Sequence, residues 1–103
     1  MNNFFAHQKA VEFYKLVVKE KMPYYLKDQI NRAASSVALN LAEGSGKISP
    51  KEQCRFYKIA LGSVRECQSV LKLLDRDETS LYEAVDFLGV VVYRLIRGRE
   101  KGI

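Results

Sequence analysis

Residues 49–74 read SPKEQCRFYKIALGSVRECQSVLKLL. The opening Ser49-Pro50-Lys51-Glu52 supplies an N-cap serine, a proline at the first helical position and a glutamate at the third, the pattern of a capping box. Apolar residues then recur every three or four positions, at Tyr57, Ala60, Val64, Cys67, Leu71 and Leu74. Such a seam is typical of helices packed side by side. The stretch therefore predicts one long helix of a helical bundle.

Three further helices are predicted around this one, so that the four cover about residues 4–21, 23–44, 50–75 and 79–97. The first should end before Met22-Pro23, because proline disfavours a helical conformation in the residue before it. The second should end at Gly44-Ser45-Gly46, where glycine accepts the left-handed conformation of a C-cap. No repeat or linker divides the 103 residues. The predicted fold is a single domain, residues 1–103, forming an all-α, antiparallel up-down four-helix bundle.

The fourth predicted helix has more apolar surface than one bundle needs. Beside its seam of apolar residues it carries Phe87, Val90, Val91 and Tyr93 on other faces. A helix that is apolar nearly all round should be buried nearly all round. On helix three, Leu61 and Leu73 also lie off the seam. This surplus predicts a subunit interface, and therefore a homo-oligomer.

The bulk properties exclude several classes of protein. No apolar run approaches the roughly 18–20 residues of a membrane span, and the first residues do not resemble a signal peptide, so a cytoplasmic protein is expected. Cys54 and Cys67 would lie about 20 Å apart on one helix, too far for a disulfide. The single histidine argues against a zinc cluster. No metal and no cofactor is predicted.

A net charge of +5 is compatible with a polyanionic partner, and one helix face concentrates it. At 100° per residue Lys51, Arg55, Lys58 and Arg65 fall within a narrow arc, and Lys47 precedes them in the loop. These five residues, here called the basic strip, are the candidate nucleic-acid-binding residues, because such a strip can follow a phosphate backbone. A solvated helix face or subunit pairing would produce the same pattern.

A second group of cations, here called the terminal cluster, consists of Arg94, Arg97, Arg99 and Lys101. Cations at the end of a helix suit the negative end of its dipole, and this interpretation is favoured. The alternative is that this end of the chain is a tail that binds RNA.

Helix two carries a polar strip that flanks its apolar seam, and its members are Arg32, Ser36, Asn40 and Glu43. Their side chains should be partly buried, and buried polar groups need partners. We predict a structural network in which these residues bond to one another or to a neighbouring helix. Catalysis would require a nucleophile beside a base, or paired carboxylates around a pocket. Neither pattern is present, so no catalytic residue is predicted and an enzyme is not expected.

Three segments together resemble a known family. They are residues 29–37 (QINRAASSV), residues 40–44 (NLAEG) and the third helix, with Ser49, Glu52, Arg55-Phe56, residues 59–63 (IALGS) and Glu66. This combination is similar to the four-helix-bundle proteins encoded in intervening sequences of bacterial 23S ribosomal RNA genes. The same family includes the accessory proteins of diversity-generating retroelements.

The resemblance implies a bundle that assembles as a ring-like homopentamer. For the retroelement branch it also implies a basic surface that binds nucleic acid and a partner reverse transcriptase. Six motif residues are expected to be structural, with Gly44 as a cap and with Gly62 and Ser63 allowing close helix approach. The six are Asn40, Glu43, Gly44, Gly62, Ser63 and Glu66.

Two functions remain open. In the first, a homo-oligomer binds RNA or DNA through the basic strip, as an accessory to a reverse transcriptase in the retroelement branch. In the second, the oligomer is a protein-interaction scaffold with no nucleic-acid role, and the basic strip is soluble surface.

Overall fold

The computed structural model describes residues 3–102 and contains four α-helices. They are α1 (Asn3–Val17), α2 (Tyr24–Ser45), α3 (Pro50–Leu73) and α4 (Ser80–Glu100). No strand occurs in the described part of the chain. The prediction of an all-α fold with four helices is confirmed.

The helices surround a common core. α1 packs against α2 and α4, and α3 packs against the same two helices. Among the described residues the backbones of the two diagonal pairs, α1 with α3 and α2 with α4, do not approach each other closely. The result is a bundle of about 41 × 21 × 19 Å. Its core contains every member of the predicted α3 seam from Tyr57 to Leu71, while Leu74 is only partly buried.

Two helices begin at side-chain caps, and the cap at Ser49 is the one predicted above. The Ser49 hydroxyl accepts the Glu52 backbone N–H at 3.2 Å, and Pro50 follows at the first position of α3. The Thr79 hydroxyl accepts the Tyr82 backbone N–H at 3.2 Å at the start of α4. Each cap satisfies one of the backbone donors that the first turn of a helix leaves free.

α1 ends at Val17, four residues earlier than expected. The chain then forms a tight turn, in which the Glu20 N–H donates to the Val17 carbonyl at 3.0 Å. The Lys27 ammonium of α2 donates to the same Val17 carbonyl at 2.6 Å and to the Glu20 carbonyl. Because a side chain from another helix satisfies these acceptors, α1 ends before Met22-Pro23 is reached.

α4 continues to Glu100, three residues beyond the expected end, because nothing at Gly98 stops it. Space around Gly98 is open. The last turn is tied to α3, since Arg99 Nε donates to Gln53 Oε1 at 2.8 Å and Glu100 pairs with Lys58 at 3.4 Å. These tertiary contacts hold the end of the helix in place.

The glycines at the end of α2 act differently from our expectation. Gly46 is the C-cap, with φ of −84°, and not in the left-handed region. Gly44, expected as a cap, lies inside the helix and is buried. A Cβ there would come 2.6 Å from Tyr57 Cε1 and 3.1 Å from Phe56 Cβ. Gly44 therefore permits the close approach of α2 and α3.

Within the single chain α4 is not buried nearly all round, and the subunit interface expected to cover the rest stays a prediction. Val91 is fully buried, but Phe87, Val90 and Tyr93 keep between 41% and 49% of their surface exposed. Leu73 of α3 is exposed as well. The apolar surplus noted in the sequence therefore lies on the surface of the single chain.

Both cysteines are buried and free, as predicted. None of the helices within residues 3–102 combines the length and apolar character that crossing a bilayer requires.

Candidate nucleic-acid interface

The basic strip lies on one exposed side of α3 and continues into the loop before it. Lys51, Arg55, Lys58 and Arg65 are all exposed, while Lys47 is partly buried. The capped start of α3 fixes the position of the first of them relative to the loop. The structure therefore places the five candidate residues along one path.

Two cations of the strip share one aromatic ring. The Lys47 ammonium lies 5.2 Å from the centroid of the Phe56 ring, and the Arg55 guanidinium carbon lies 5.1 Å from it. Lys47 also pairs with Glu43 at 3.3 Å. Cation–π contacts of this kind contribute about 0.5–1 kcal/mol at exposed sites. They hold the two cations side by side at the start of the strip.

The other partners of the strip are weak or neutral. Lys58 pairs with Glu100, but both side chains are more than a third exposed, so water and salt screen the attraction. A phosphate can replace the Glu100 carboxylate at little cost. Arg65 donates to the Gln68 side-chain oxygen at 3.0 Å, a neutral partner that leaves its charge uncompensated.

The structure brings the terminal cluster next to the basic strip, which the sequence did not indicate. The last turn of α4 packs on the first turns of α3 through Arg99 and Gln53, and the Cys54 thiol points to the Ile96 carbonyl at 3.7 Å. Arg94 and Arg97 are exposed on the same part of α4. We call this part of the molecule the basic end; its cations are Lys47, Lys51, Arg55, Lys58, Arg94, Arg97, Arg99 and Lys101.

The basic end contains the whole net charge of the chain. It contains eight cations and only three carboxylates, those of Glu43, Glu52 and Glu100. The difference equals the net charge of +5. The remaining residues carry equal numbers of acidic and basic side chains. The charge is therefore concentrated at one end of a long bundle, where it can attract a polyanion.

An open depression of about 700 Å³ lies at the basic end and is lined by Lys51, Glu52, Cys54, Arg55 and Lys58. Burial, with a smaller effect of Glu100, raises the pKa of the Cys54 thiol above its ordinary value. The thiol therefore stays protonated, which is the unreactive form. Within residues 3–102 no group of three or more His, Cys, Asp or Glu residues is arranged to hold a metal ion.

The predicted polar network forms around two of its four residues. Asn40 Nδ2 donates to the Ser36 hydroxyl at 3.0 Å and to the Ser36 carbonyl at 2.9 Å. Ser63 of α3 donates to the Ser36 hydroxyl at 2.8 Å and extends the network to the neighbouring helix. Ser63 thus links α2 and α3 by a hydrogen bond as well as by its small size.

Arg32 and Glu43 lie outside this network, which corrects the expectation that they are partly buried. Arg32 is 80% exposed and pairs with Asp28 at 3.0 Å, and Glu43 pairs with Lys47. Each pair joins residues four apart, the first within α2 and the second between the end of α2 and the loop that follows it. Their long side chains reach solvent where the shorter Ser36 and Asn40 cannot.

The family model for the 23S rRNA-intervening sequence protein matches residues 4–87. The chain belongs to this family. No curated protein and no solved structure is significantly similar to it.

The family match covers α1, α2, α3 and the first part of α4. It therefore includes the entire basic strip. Tyr93 and the terminal cluster lie beyond the matched segment. The basic end thus combines a helix within the family match with a helix end outside it.

Gly62, like Gly44, is a motif residue of this intervening-sequence protein that differs from our structural expectation. Gly62 of α3 is exposed, and no atom lies within 4 Å of where a Cβ would be. No neighbouring helix of the same chain requires a glycine there. Gly62 lies one turn after Lys58 and leaves the basic strip without a bulky side chain at that point.

Proposed function

We propose that this 23S rRNA-intervening sequence protein is a non-enzymatic, homo-oligomeric bundle that binds nucleic acid through its basic end. The observation that carries the proposal is the concentration of the net charge of +5 at one end of the bundle. A phosphate backbone that crosses this end releases counterions, and this release supplies sequence-independent affinity.

The proposed arrangement of the bundle is antiparallel and up-down. In each pair of consecutive helices the start of one lies beside the end of the other, as in the Lys58–Glu100 contact, while Ser36 and Ser63 meet near the middle of α2 and α3. The Gln29–Glu66 and Gln68–Asp86 hydrogen bonds follow the same order. This arrangement explains why the end of α4 lies beside the start of α3, and so why the two groups of cations form one surface.

Self-association is supported by the large apolar side chains that the chain leaves on its surface. They include Phe4, Leu39, Ile59 and Phe87, which are between 44% and 73% exposed. Exposed apolar surface of this kind marks interaction sites. A homopentamer is proposed from the family resemblance alone. Sedimentation equilibrium measures the stoichiometry directly, and a monomer at all concentrations would contradict this part of the proposal.

The ligand is RNA or DNA, and a reverse transcriptase is the proposed protein partner if the chain serves a retroelement. We place the protein in the cytoplasm, where such a nucleic acid is accessible. The second candidate function is a protein-interaction scaffold without a nucleic-acid role. The exposed apolar residues favour it, because they would suit a protein partner as well as a second copy.

Triple reversal of Lys51, Arg55 and Lys58 to glutamate tests the proposal. Binding of labelled RNA and DNA is measured by fluorescence anisotropy between about 50 and 200 mM salt, where phosphate contacts have their strongest effect. We expect the natural protein to bind with an affinity that falls steeply with salt, and the variant to lose most of it while keeping its helical circular dichroism. Equal affinities of the two proteins would refute binding through the basic end, and no binding at low salt would refute a nucleic-acid role and favour the scaffold.

A further inference from the structure

A groove between α3 and α4 borders the basic strip. It has a volume of about 310 Å³ and is lined by Arg65, Asp86, Gly89, Val90 and Tyr93. The Tyr93 ring is half exposed. The groove therefore offers an aromatic ring, a guanidinium and a carboxylate around an apolar floor. Its volume is at the lower limit of small-ligand pockets, which suits a single planar ring system.

The polar walls of the groove are held in position. Arg65 donates to Gln68 Oε1 at 3.0 Å, and Gln68 Nε2 donates to Asp86 Oδ1 at 3.4 Å. Gln68 is only 8% exposed, so it links the two charged groups from within the protein. A Cβ at Gly89 would come 3.5 Å from the Arg65 guanidinium and 3.2 Å from Val64. The missing side chain leaves room for the guanidinium against α4.

We propose that this groove binds one unpaired base of a single-stranded nucleic acid, stacked on Tyr93 beside Arg65. The inference rests on the proposed function and specifies its ligand as single-stranded. Aromatic rings and arginine planes are the surfaces on which proteins stack unpaired bases. Asp86 adds an acceptor for an exocyclic amino group, as carboxylates do for the N4 amino group of cytosine.

The phosphates that lead from such a base towards the basic end would meet cations. Lys58 precedes Arg65 by two helical turns on α3, a rise of about 10 Å. Arg97 follows Tyr93 by one turn on α4 and is exposed. A strand that runs from the groove towards the basic end therefore passes between cations of both helices. A duplex keeps its bases stacked inside and can use the cations but not the Tyr93 ring.

The test substitutes Tyr93 with leucine, which retains apolar volume but removes the aromatic ring. Tyr24→Leu is the matched control, because Tyr24 is an exposed tyrosine at the start of α2, far from the basic end. The probe is a short, cytosine-rich RNA strand with a fluorescent label, used alone and annealed to its complement. Stacking contributes about 1–3 kcal/mol per base, so we expect Tyr93→Leu to weaken single-strand binding about 5- to 150-fold.

The same substitution should leave duplex affinity and the salt dependence of binding unchanged, since every cation that meets a phosphate is retained. Tyr93→Phe should retain the single-strand affinity, and Tyr24→Leu should have no effect. Equal single-strand affinities of Tyr93→Leu and the natural protein would overturn the base site. If the triple charge reversal still abolished binding in that case, nucleic-acid binding through the basic end would stand and only the base site would be rejected. If the natural protein bound neither probe, both would fail together.

Discussion

Gly44 and Gly62 lie in opposite environments, although both belong to the motifs that suggest the family. A methyl group at Gly44 would overlap the Tyr57 ring at 2.6 Å, whereas a methyl group at Gly62 would meet nothing within 4 Å. We expect Gly44→Ala to destabilise the protein by about 1–3 kcal/mol through overpacking. Gly62→Ala should stabilise it by about 0.5–1 kcal/mol, because alanine favours an exposed helix.

Urea denaturation followed by circular dichroism measures both effects. Gly62→Ala is the control for Gly44→Ala, since each adds one methyl group to a helix. Similar changes in the free energy of unfolding for the two variants would contradict the close packing of α2 against α3 at Gly44. The sequence alone interprets Gly44 as a cap and Gly62 as the point of close helix approach, because a clash with Tyr57 depends on how two helices pack and no local pattern shows it.

Cys67 provides a pH-dependent prediction at the same scale. Burial raises the pKa of the Cys67 thiol from 9.0 to about 12. Between these values the unfolded chain loses the thiol proton more readily than the folded one, so the free energy of unfolding falls as pH rises. Below pH 9 this contribution is complete. We expect the alkaline decline in stability to be shallower in Cys67→Ala than in the natural protein.

Urea denaturation at several pH values from about 8 to 11 measures this decline, a range that begins just below the thiol pKa of unfolded chains. The comparison uses slopes, because Cys67→Ala is also less stable at every pH through the cavity that it leaves. Parallel curves would mean that the thiol is not protected from ionisation in the folded protein.

At the scale of the helix, Lys27 determines where α1 ends. Its ammonium bonds to the Val17 carbonyl at the end of α1 and to the Glu20 carbonyl in the turn that follows. Bonds from a charged donor contribute about 1.5–3 kcal/mol, with the lower value suited to a partly exposed site. We expect Lys27→Met to lower the free energy of unfolding by about 1–2 kcal/mol and to speed hydrogen exchange in the last turn of α1.

Lys19→Met is the matched control, because Lys19 is an exposed lysine of the adjoining turn. It should change stability by less than about 0.5 kcal/mol, as exposed positions usually do. If both variants lost the same stability, the Lys27 contacts would not be what ends the helix.

The starts of the helices could be predicted, and two of the ends could not, for one physical reason. The caps at Ser49 and Thr79 bond to backbone groups three residues away, so a local pattern determines them. The end of α1 depends on Lys27, and the end of α4 depends on α3 through Arg99. Those contacts exist only after the helices pack, and no local pattern contains them.

At the scale of the whole molecule, the sequence predicts the number of helices, their order and the basic strip. The predicted up-down order implies which helix ends adjoin, but the contacts that bring the terminal cluster onto the strip, such as Gln53 with Arg99, depend on packing and no local pattern indicates them. The sequence also does not predict the Tyr93 groove, which requires Arg65 and Tyr93 to face each other across two helices. Packing of α3 against α4 creates both features.

This concentration of charge predicts that the position of the cations, and not the total charge of the protein, governs its affinity for nucleic acid. Lys15, Lys19 and Lys21 lie where α1 ends, beside the start of α2 and away from the basic end. The bundle is about 41 Å long, several times the screening length of about 8 Å at physiological salt. Reversing these three lysines to glutamate changes the net charge as much as reversing Lys51, Arg55 and Lys58 does.

We expect reversal of Lys15, Lys19 and Lys21 to leave nucleic-acid affinity nearly unchanged at about 150 mM salt, because screening removes their influence on the basic end. Reversal at the basic end should also make the plot of log affinity against log salt concentration less steep. Its slope should change by about 0.9 for each phosphate of duplex DNA that the protein no longer neutralises. Both triple variants are measured with the same labelled probe across a salt series. Equal reductions in affinity for the two would mean that the chain attracts polyanions by its overall charge, and the basic end would then be no site at all.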